Sequence, residues 1–335
     1  MDIRKPRTLK LAARQHLQDP AGNPRLLVLL HTAVALGAGL LITVIDFILT
    51  RSIDSAGGLA GLQTRSMLET AQSVLQLASS VLLPFWQIGL LGAAIAFARR
   101  EHTAPSTLLS GFRRFGPVLR LMLLRLVVVG AIVMFCIYAA TAIFMATPLS
   151  QPVIDLLTPM LEEGSMLSDP SAMLDDAAIS AVADTVMLPL IPIVMLLMAA
   201  LVLPLVYRLR LSDYLIIDEP DCGALMAFGK SLKLTRRNAF SLFRIDLSFW
   251  WFYLLQGLCA AIGYADVLLP ALGIGLPISQ DSAFFVFYIL SLFAQLLLFW
   301  YAGAYVQTTQ ALAYETLRNV QPEEKPEAKN IPWNY

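Results

Sequence analysis

Long stretches of this chain carry no charge, and that constrains it more than any motif does. From Leu26 to Thr50, between Arg25 and Arg51, the only charged residue is Asp46. A helix needs about 20 mainly apolar residues to cross a hydrocarbon core of roughly 30 Å. Five further runs come to that length: Thr70 to Ala98, Leu126 to Thr147, Val186 to Tyr207, Leu247 to Ala265 and Ala283 to Ala313. The fourth holds Pro189, Pro192 and Pro204, which a bilayer helix tolerates when neighbours satisfy the freed carbonyls. Trp250 with Trp251 and Trp300 with Tyr301 fall near run ends, as interfacial aromatics do. The pattern predicts an all-α, polytopic transmembrane bundle of six spans. With 57% hydrophobic and 14% charged residues, the chain could not clothe a soluble surface of 335 residues. A net charge of zero argues against nucleic acid as a partner.

Orientation follows from where Lys and Arg fall, because short cytoplasmic loops retain positive charge. All but Arg51 and Arg65 of the 24 Lys and Arg fall before the first span, after the last, or in the second-to-third and fourth-to-fifth connections. The segment 148–184 is acidic, with Asp155, Glu162, Glu163, Asp169, Asp175, Asp176 and Asp184 and no Lys or Arg. Both termini are therefore expected in the cytoplasm, with 148–184 outside as a site for a protein partner and 318–335 as a polar tail. No short apolar core with a cleavage site follows the basic N-terminus, so the first span is expected to direct insertion.

A basic amphipathic segment precedes each odd-numbered span. Leu9, Ala13 and Leu17 share a helical face beside Lys10 and Arg14. Leu108, Phe112 and Phe115 do so beside Arg113 and Arg114, after a start marked by Pro105. Leu225, Phe228 and Leu232 oppose Lys230, Lys233 and Arg237, with Asp221 as the expected N-cap. These predict three cytoplasmic-side interfacial helices and a single membrane domain over 1–317. It is built of three helix-plus-hairpin units, about 1–100, 101–210 and 211–317.

Three stretches, GAAIAFARREHTAPSTLLSGFRRF (Gly92 to Phe115), YRLRLSDYLIIDEPDCGALMAFGKSLKLTRRNAFSLFRIDLSFWWF (Tyr207 to Phe252) and YVQTTQALAYETL (Tyr305 to Leu317), resemble the domain of unknown function 975 family of bacterial membrane proteins. Their most specific parts are Leu247-Ser248-Phe249 and Gln307-Thr308-Thr309. The resemblance implies a multi-span bundle in a bacterial inner membrane, with no accepted reaction, cofactor or catalytic residue.

Candidate residues sort into three groups. Arg113, Arg114, Lys230, Lys233, Arg236 and Arg237 are the expected binding residues for anionic lipid head groups, each cation near the surface contributing on the order of 1 kcal/mol. Asp246, Arg244, Arg125, His31 and Asp46 lie in or at the ends of spans, where burying an ionisable group costs about 2.5 to 3.5 kcal/mol. Asp246, at the head of the fifth span beside Arg244, suits either a structural pair with a basic residue or an ion relay. The third group is Phe-Trp-x-x-Gly, found as Phe85, Trp86, Gly89 in the second span and as Phe299, Trp300, Gly303 in the sixth. It reads as aromatic packing over a glycine that admits a close neighbour, or as an aromatic pair lining a substrate path.

Enzyme chemistry lacks its parts. The three histidines and the cysteines Cys136, Cys222 and Cys259 are scattered, and no zinc, hydrolase or nucleotide motif occurs. No metal, cofactor or catalytic residue is expected. The expectation is a non-enzymatic membrane protein that binds lipid or a membrane partner. The alternative is a transporter of a small solute, peptide or lipid whose path passes Asp246. The pairs Gly89 with Gly92 and Gly37 with Gly39 form no clean GxxxG seam and so predict no dimer face, and the oligomeric state is left open.

Overall fold

The computed structural model describes residues 3–18, 22–55, 58–151, 176–275 and 279–320, and every regular element among them is helical. The acidic residues from 155 to 175 and the tail beyond Val320 lie outside the described residues. The chain divides into two compact units, Met1–Leu119 with Arg210–Tyr335, and Arg120–Leu209.

The first unit opens with α1 (Pro6–Gln18), whose Leu9, Ala12 and Ala13 are buried. The helices α2 (Pro24–Ser55) and α3 (Gly58–Arg99) carry the first two apolar runs. Asn23 starts α2 by accepting a hydrogen bond from the Leu26 N–H at 3.1 Å, which relieves one of the unpaired donors of a helix N-terminus. At the same end of the hairpin α3 stops at Arg100, which has φ +58°. The bonds Arg100 N–H to Phe97 O and Glu101 N–H to Ala96 O close the last turn as a Schellman motif.

After that stop the expected helix from Pro105 is a 3-10 turn, Pro105–Leu109, followed by one α-turn, α4 (Ser110–Arg113). Packing explains the departure. A Cβ on Gly89 would sit 1.8 Å from the Leu108 carbonyl oxygen, and one on Gly111 would sit 2.1 Å from the Phe85 carbonyl oxygen. The tight turn presses backbone against backbone, an approach that only glycine permits.

Next comes α5 (Phe115–Met145), which runs from the first unit into the second, where a 3-10 turn at Pro148–Ser150 and α6 (Asp176–Leu209) follow. Within this second unit the Arg125 guanidinium donates to the Leu209 carbonyl at 3.2 Å, and Cys136, Ala140 and Phe144 are buried.

The first unit resumes with α7 (Leu211–Asp218), α8 (Ala224–Thr235), α9 (Ala239–Leu247), α10 (Trp250–Gly263) and α11 (Ala265–Ala271). The N-cap of α8 is Gly223, not the expected Asp221, and no side chain caps it. The expected fifth span, Leu247 to Ala265, starts at a break: α9 and α10 meet at 63° across Ser248 and Phe249. The final run is α12 (Gln280–Leu298), a π-turn at Phe299–Gly303 and α13 (Ala304–Val320).

Among the described residues five helical stretches are long and apolar enough to cross a membrane: Pro24–Ser52, Arg65–Arg99, Phe115–Met145, Leu190–Asp218 and Ser282–Asn319. The bent pair of α9 and α10 makes a sixth if it counts as one span. The first unit's core is where α2, α3, the 3-10 turn and α13 meet, with Leu27, Val28, Leu90, Ala93, Phe97, Leu108 and Ala304 buried together.

Candidate functional site

The last helix, α13, presents Gln310, Tyr314 and Arg318 at four-residue spacing, so they rise along one face. Two carboxylates from other elements meet this face. Asp218, at the end of α7, has a side chain only 4% exposed. Its carboxylate accepts from Arg99 at 2.7 and 2.8 Å, from the Tyr314 hydroxyl at 2.8 Å and from Arg318 at 2.5 Å. Arg99 also pairs with Glu315 at 2.6 Å. A buried carboxylate is tolerable only with such partners, and the forked Arg99 guanidinium matches both oxygens. The ring of Tyr314 stacks on that of Tyr214 of α7, centroids 5.1 Å apart.

The second carboxylate is Asp246 of α9. The sequence sets Arg244 beside it, but Arg244 is exposed and the ion pair is with Arg210, between α6 and α7. Two residues apart on a helix, Arg244 and Asp246 point to different sides, so the basic partner comes from elsewhere in the chain. The other carboxylate oxygen of Asp246 accepts from Gln310 at 3.2 Å and from the Tyr253 hydroxyl at 3.4 Å. Four elements thus converge on Asp246 directly beside the break between α9 and α10.

Helix breaks at this end of the unit are capped by cations. Lys10 of α1 donates to the Ser248 carbonyl at 2.6 Å, with its ammonium 3.9 Å from the centroid of the Phe249 ring. Burial, reinforced by Arg14 nearby, lowers the Lys10 ammonium below the ordinary lysine range. Arg14 stands over the Tyr305 ring at 5.4 Å. Arg114 donates to the Ile216 and Glu219 carbonyls at 2.5 and 2.9 Å, where α7 ends. Cations suit these positions because a helix C-terminus offers unpaired carbonyls and partial negative charge.

The structure therefore splits the expected head-group set. Arg114 is committed to the end of α7, and Lys230 pairs with Glu219 at 2.6 Å. Arg113, Lys233, Arg236 and Arg237 are exposed. Helix α8 leaves part of its expected apolar face uncovered, with Leu225 exposed and Phe228 and Leu232 half-buried. Its small residues Ala224, Ala227, Ser231 and Thr235 are buried, whereas Leu225 is 75% and Met226 52% exposed. Small side chains let α8 lie close to its neighbours, and Leu234 is buried with them while Leu225 and Met226 face outward. Cys222 is buried at this corner, where burial and the Glu219 charge push its thiol above the ordinary value.

The two Phe-Trp-x-x-Gly copies are alike at glycine and unlike at tryptophan. Phe85 is buried between the rings of Phe112 and Phe115, at 5.7 and 4.7 Å. The Trp86 indole donates to the His31 carbonyl at 2.9 Å and stacks on the buried His31 ring. In the second copy Phe299 meets Phe252 edge-on at 5.5 Å, and a Cβ on Gly303 would lie 2.8 Å from Val28. Trp300 is exposed. The π-turn that holds this copy rotates side chains away from α-helical register.

Asp46, in α2, accepts from Gln72 of α3 at 2.6 Å. Arg99, Asp218, Tyr314 and Arg318 are absent from the sequence-based candidates. Charges at span ends read as topology signals there, and nothing local pairs residues so far apart in the chain. Among the described residues no three His, Cys, Asp or Glu gather as a metal site.

A family described as a protein of unknown function, DUF975, matches residues 1–321. No curated protein and no solved structure matches the chain.

Proposed function

The chain belongs to the DUF975 family, and from that premise we propose that it is a non-enzymatic integral membrane protein that holds anionic lipid at its cytoplasmic face. The carrying observation is α8, which leaves Leu225 and Met226 uncovered in its first turn and the cations Lys233, Arg236 and Arg237 exposed at its far end. An exposed apolar face flanked by cations suits the boundary between acyl chains and anionic head groups. Exposed Arg113 lies next to Arg114, which reaches Glu219, and Glu219 pairs with Lys230 of α8. Two basic segments far apart in sequence thus contribute to one cationic corner.

On this reading the chain spans a bacterial inner membrane six times, the bent α9 and α10 pair counting as the fifth span and both termini lying in the cytoplasm. α1, the turn through α4, and α8 are its interfacial elements. The acidic segment 148–184 faces outward and meets a protein partner.

The test is lipid retention by the purified full-length protein, read by native mass spectrometry. Replacing Arg113, Lys233, Arg236 and Arg237 together with Gln should weaken anionic-lipid retention by at least tenfold, at about 1 kcal/mol per cation. Neutral-lipid retention should not change. Equal anionic-lipid retention by variant and parent would overturn the proposal.

The break between α9 and α10 favours a second reading, transport, because broken helices at membrane depth are a feature of transporter sites. Asp246→Asn in a flux assay tests it; unchanged flux in a folded variant removes the carboxylate from any relay.

A further inference from the structure

Helix α3 crosses the region between Arg65 and Arg99 with three distinct faces. Leu68, Gln72, Leu75, Ser79 and Trp86 are half-buried, and the Gln72 and Trp86 bonds to Asp46 and His31 show that this side looks at α2. Met67, Val74 and Ala78 are exposed and apolar, as a lipid-facing side requires. The third face is polar and also exposed.

This third face has a strict repeat. Ser66, Ser73, Ser80 and Gln87 follow one another at seven-residue spacing. Glu69 and Gln76 fill the position three residues on, with Leu83 completing it. At 100° per residue these seven positions stay within one narrow stripe, and each of them is exposed. On this stripe the Gln76 amide is the costly group in hydrocarbon, because it has no hydrogen-bond partner among the described residues, whereas Glu69, Ser73, Ser80 and Gln87 each have one.

We propose that this stripe is a homodimer seam, in which α3 packs in parallel against α3 of a second copy of the chain. The spacing identifies a helix as the occupant: a seven-residue repeat is the period at which two helices wind around each other and stay in contact. Small residues at the first position let the backbones approach, and polar ones at the second bond across the seam. The chemistry identifies a second copy. Ser and Gln each donate and accept, so the stripe complements itself. The Ser73 and Ser80 hydroxyls donate back to the Glu69 and Leu77 carbonyls at 2.9 and 2.8 Å, which keeps them compact and leaves their oxygens able to accept. Among the described residues the Gln76 amide has no hydrogen bond, and in the dimer it meets its own counterpart. Arg65, 2.9 Å from Glu69, neutralises the carboxylate at the end of the seam. Copies inserted in one orientation can pair the same helix only in parallel, so each seam residue faces itself. The inference needs only that α3 crosses the membrane, and lipid binding has no part in it.

Single-cysteine crosslinking in native membranes tests it, using the full chain. The native cysteines are all buried, so the parent protein serves as background. Ser73→Cys and Ser80→Cys, each nearly isosteric, should form disulfide-linked dimers on mild oxidation. Val74→Cys and Ala78→Cys, on the neighbouring face, should not. Adding Gln76→Leu to Ser73→Cys should reduce the dimer band. Equal crosslinking at all four positions would mean random collision and overturn the seam. So would a crosslink within one chain, which would make another segment of the same chain the occupant. Labelling of position 73 or 80 by a membrane-impermeant hydrophilic maleimide would make the stripe the wall of an aqueous path, and would overturn it equally.

Discussion

The α2 and α3 hairpin has two ends that are built differently. At one end Leu27, Val28, His31 and Thr32 of α2, and Phe85 and the stretch from Ala93 to Ala98 of α3, are buried. At the other, Val34, Leu41 and Ile48 of α2 and Met67, Val74 and Leu77 of α3 are exposed. Composition does not separate the ends, since both are apolar. Partners do. The first end is surrounded by the Asp218 and Asp246 networks and by backbone-to-backbone contacts at Gly89 and Gly111. The second is joined mainly through Asp46 to Gln72, Thr43 to Tyr288 at 3.1 Å, and the rings of Phe47, Phe284 and Phe285. Apolar side chains gain little by leaving lipid for one another, so polar contacts and close backbone approach must hold a membrane bundle together. In this chain those devices are concentrated at one end.

The comparison breaks most visibly at Asp218. Asp218→Ala leaves Arg99 and Arg318 without their shared carboxylate, and removing one partner of a buried ion pair costs about 3 kcal/mol or more. Thermal unfolding in detergent should show this as the largest single-residue loss at either end. A Tm equal to the parent's would mean that the network contributes nothing to the buried end.

Glycine substitutions set the two ends directly against each other. Gly89→Ala places a methyl group 1.8 Å from a backbone oxygen that cannot move without dislodging the turn at Leu108. Overpacking of that kind costs about 3 kcal/mol. Gly37→Ala, on α2 towards the exposed end, meets nothing within 4 Å and should stabilise its helix by about 0.5 to 1 kcal/mol. Similar Tm changes of one sign would remove the distinction between the ends. At the exposed end, Asp46→Ala removes the acceptor for Gln72, and the expected loss is about 1 kcal/mol.

This division also decides what is legible in the sequence. The apolar runs locate each long helix, since length and hydrophobicity are local properties, but not its start: α3 begins at Gly58 and not Thr70, and α5 at Phe115 and not Leu126, because polar and basic turns outside the apolar run continue the helix. The break at Ser248 and the π-turn at Phe299 are not legible. Their causes are distant: Lys10 capping the Ser248 carbonyl, and Val28 lying against Gly303. Asp246 stands out in the sequence and is a node in the fold, but its ion-pair partner lies 36 residues away at Arg210. Asp218, in the family-like stretch IIDEPD, does not stand out, because its partners at 99, 314 and 318 are brought to it only by the fold. On α8, helical periodicity groups Leu225, Phe228 and Leu232 on one face, but it is the small residues Ala224, Ala227, Ser231 and Thr235 that the fold buries. Periodicity gives the phase of a stripe, whereas size and close approach decide which stripe is buried.

The smallest expected effect tests how far the buried end constrains its own backbone. Arg100 ends α3 in the left-handed region, where a side chain costs about 1 to 2 kcal/mol relative to glycine. Arg100→Gly removes that cost and keeps the two backbone bonds of the Schellman motif, because neither involves the side chain. Glycine also gives the unfolded chain more freedom, which takes back about 0.4 to 1 kcal/mol. The net expectation is a rise in stability of about 0.5 kcal/mol, read as a small increase in Tm. A decrease would show that the exposed Arg100 side chain contributes more to stability than its backbone geometry costs.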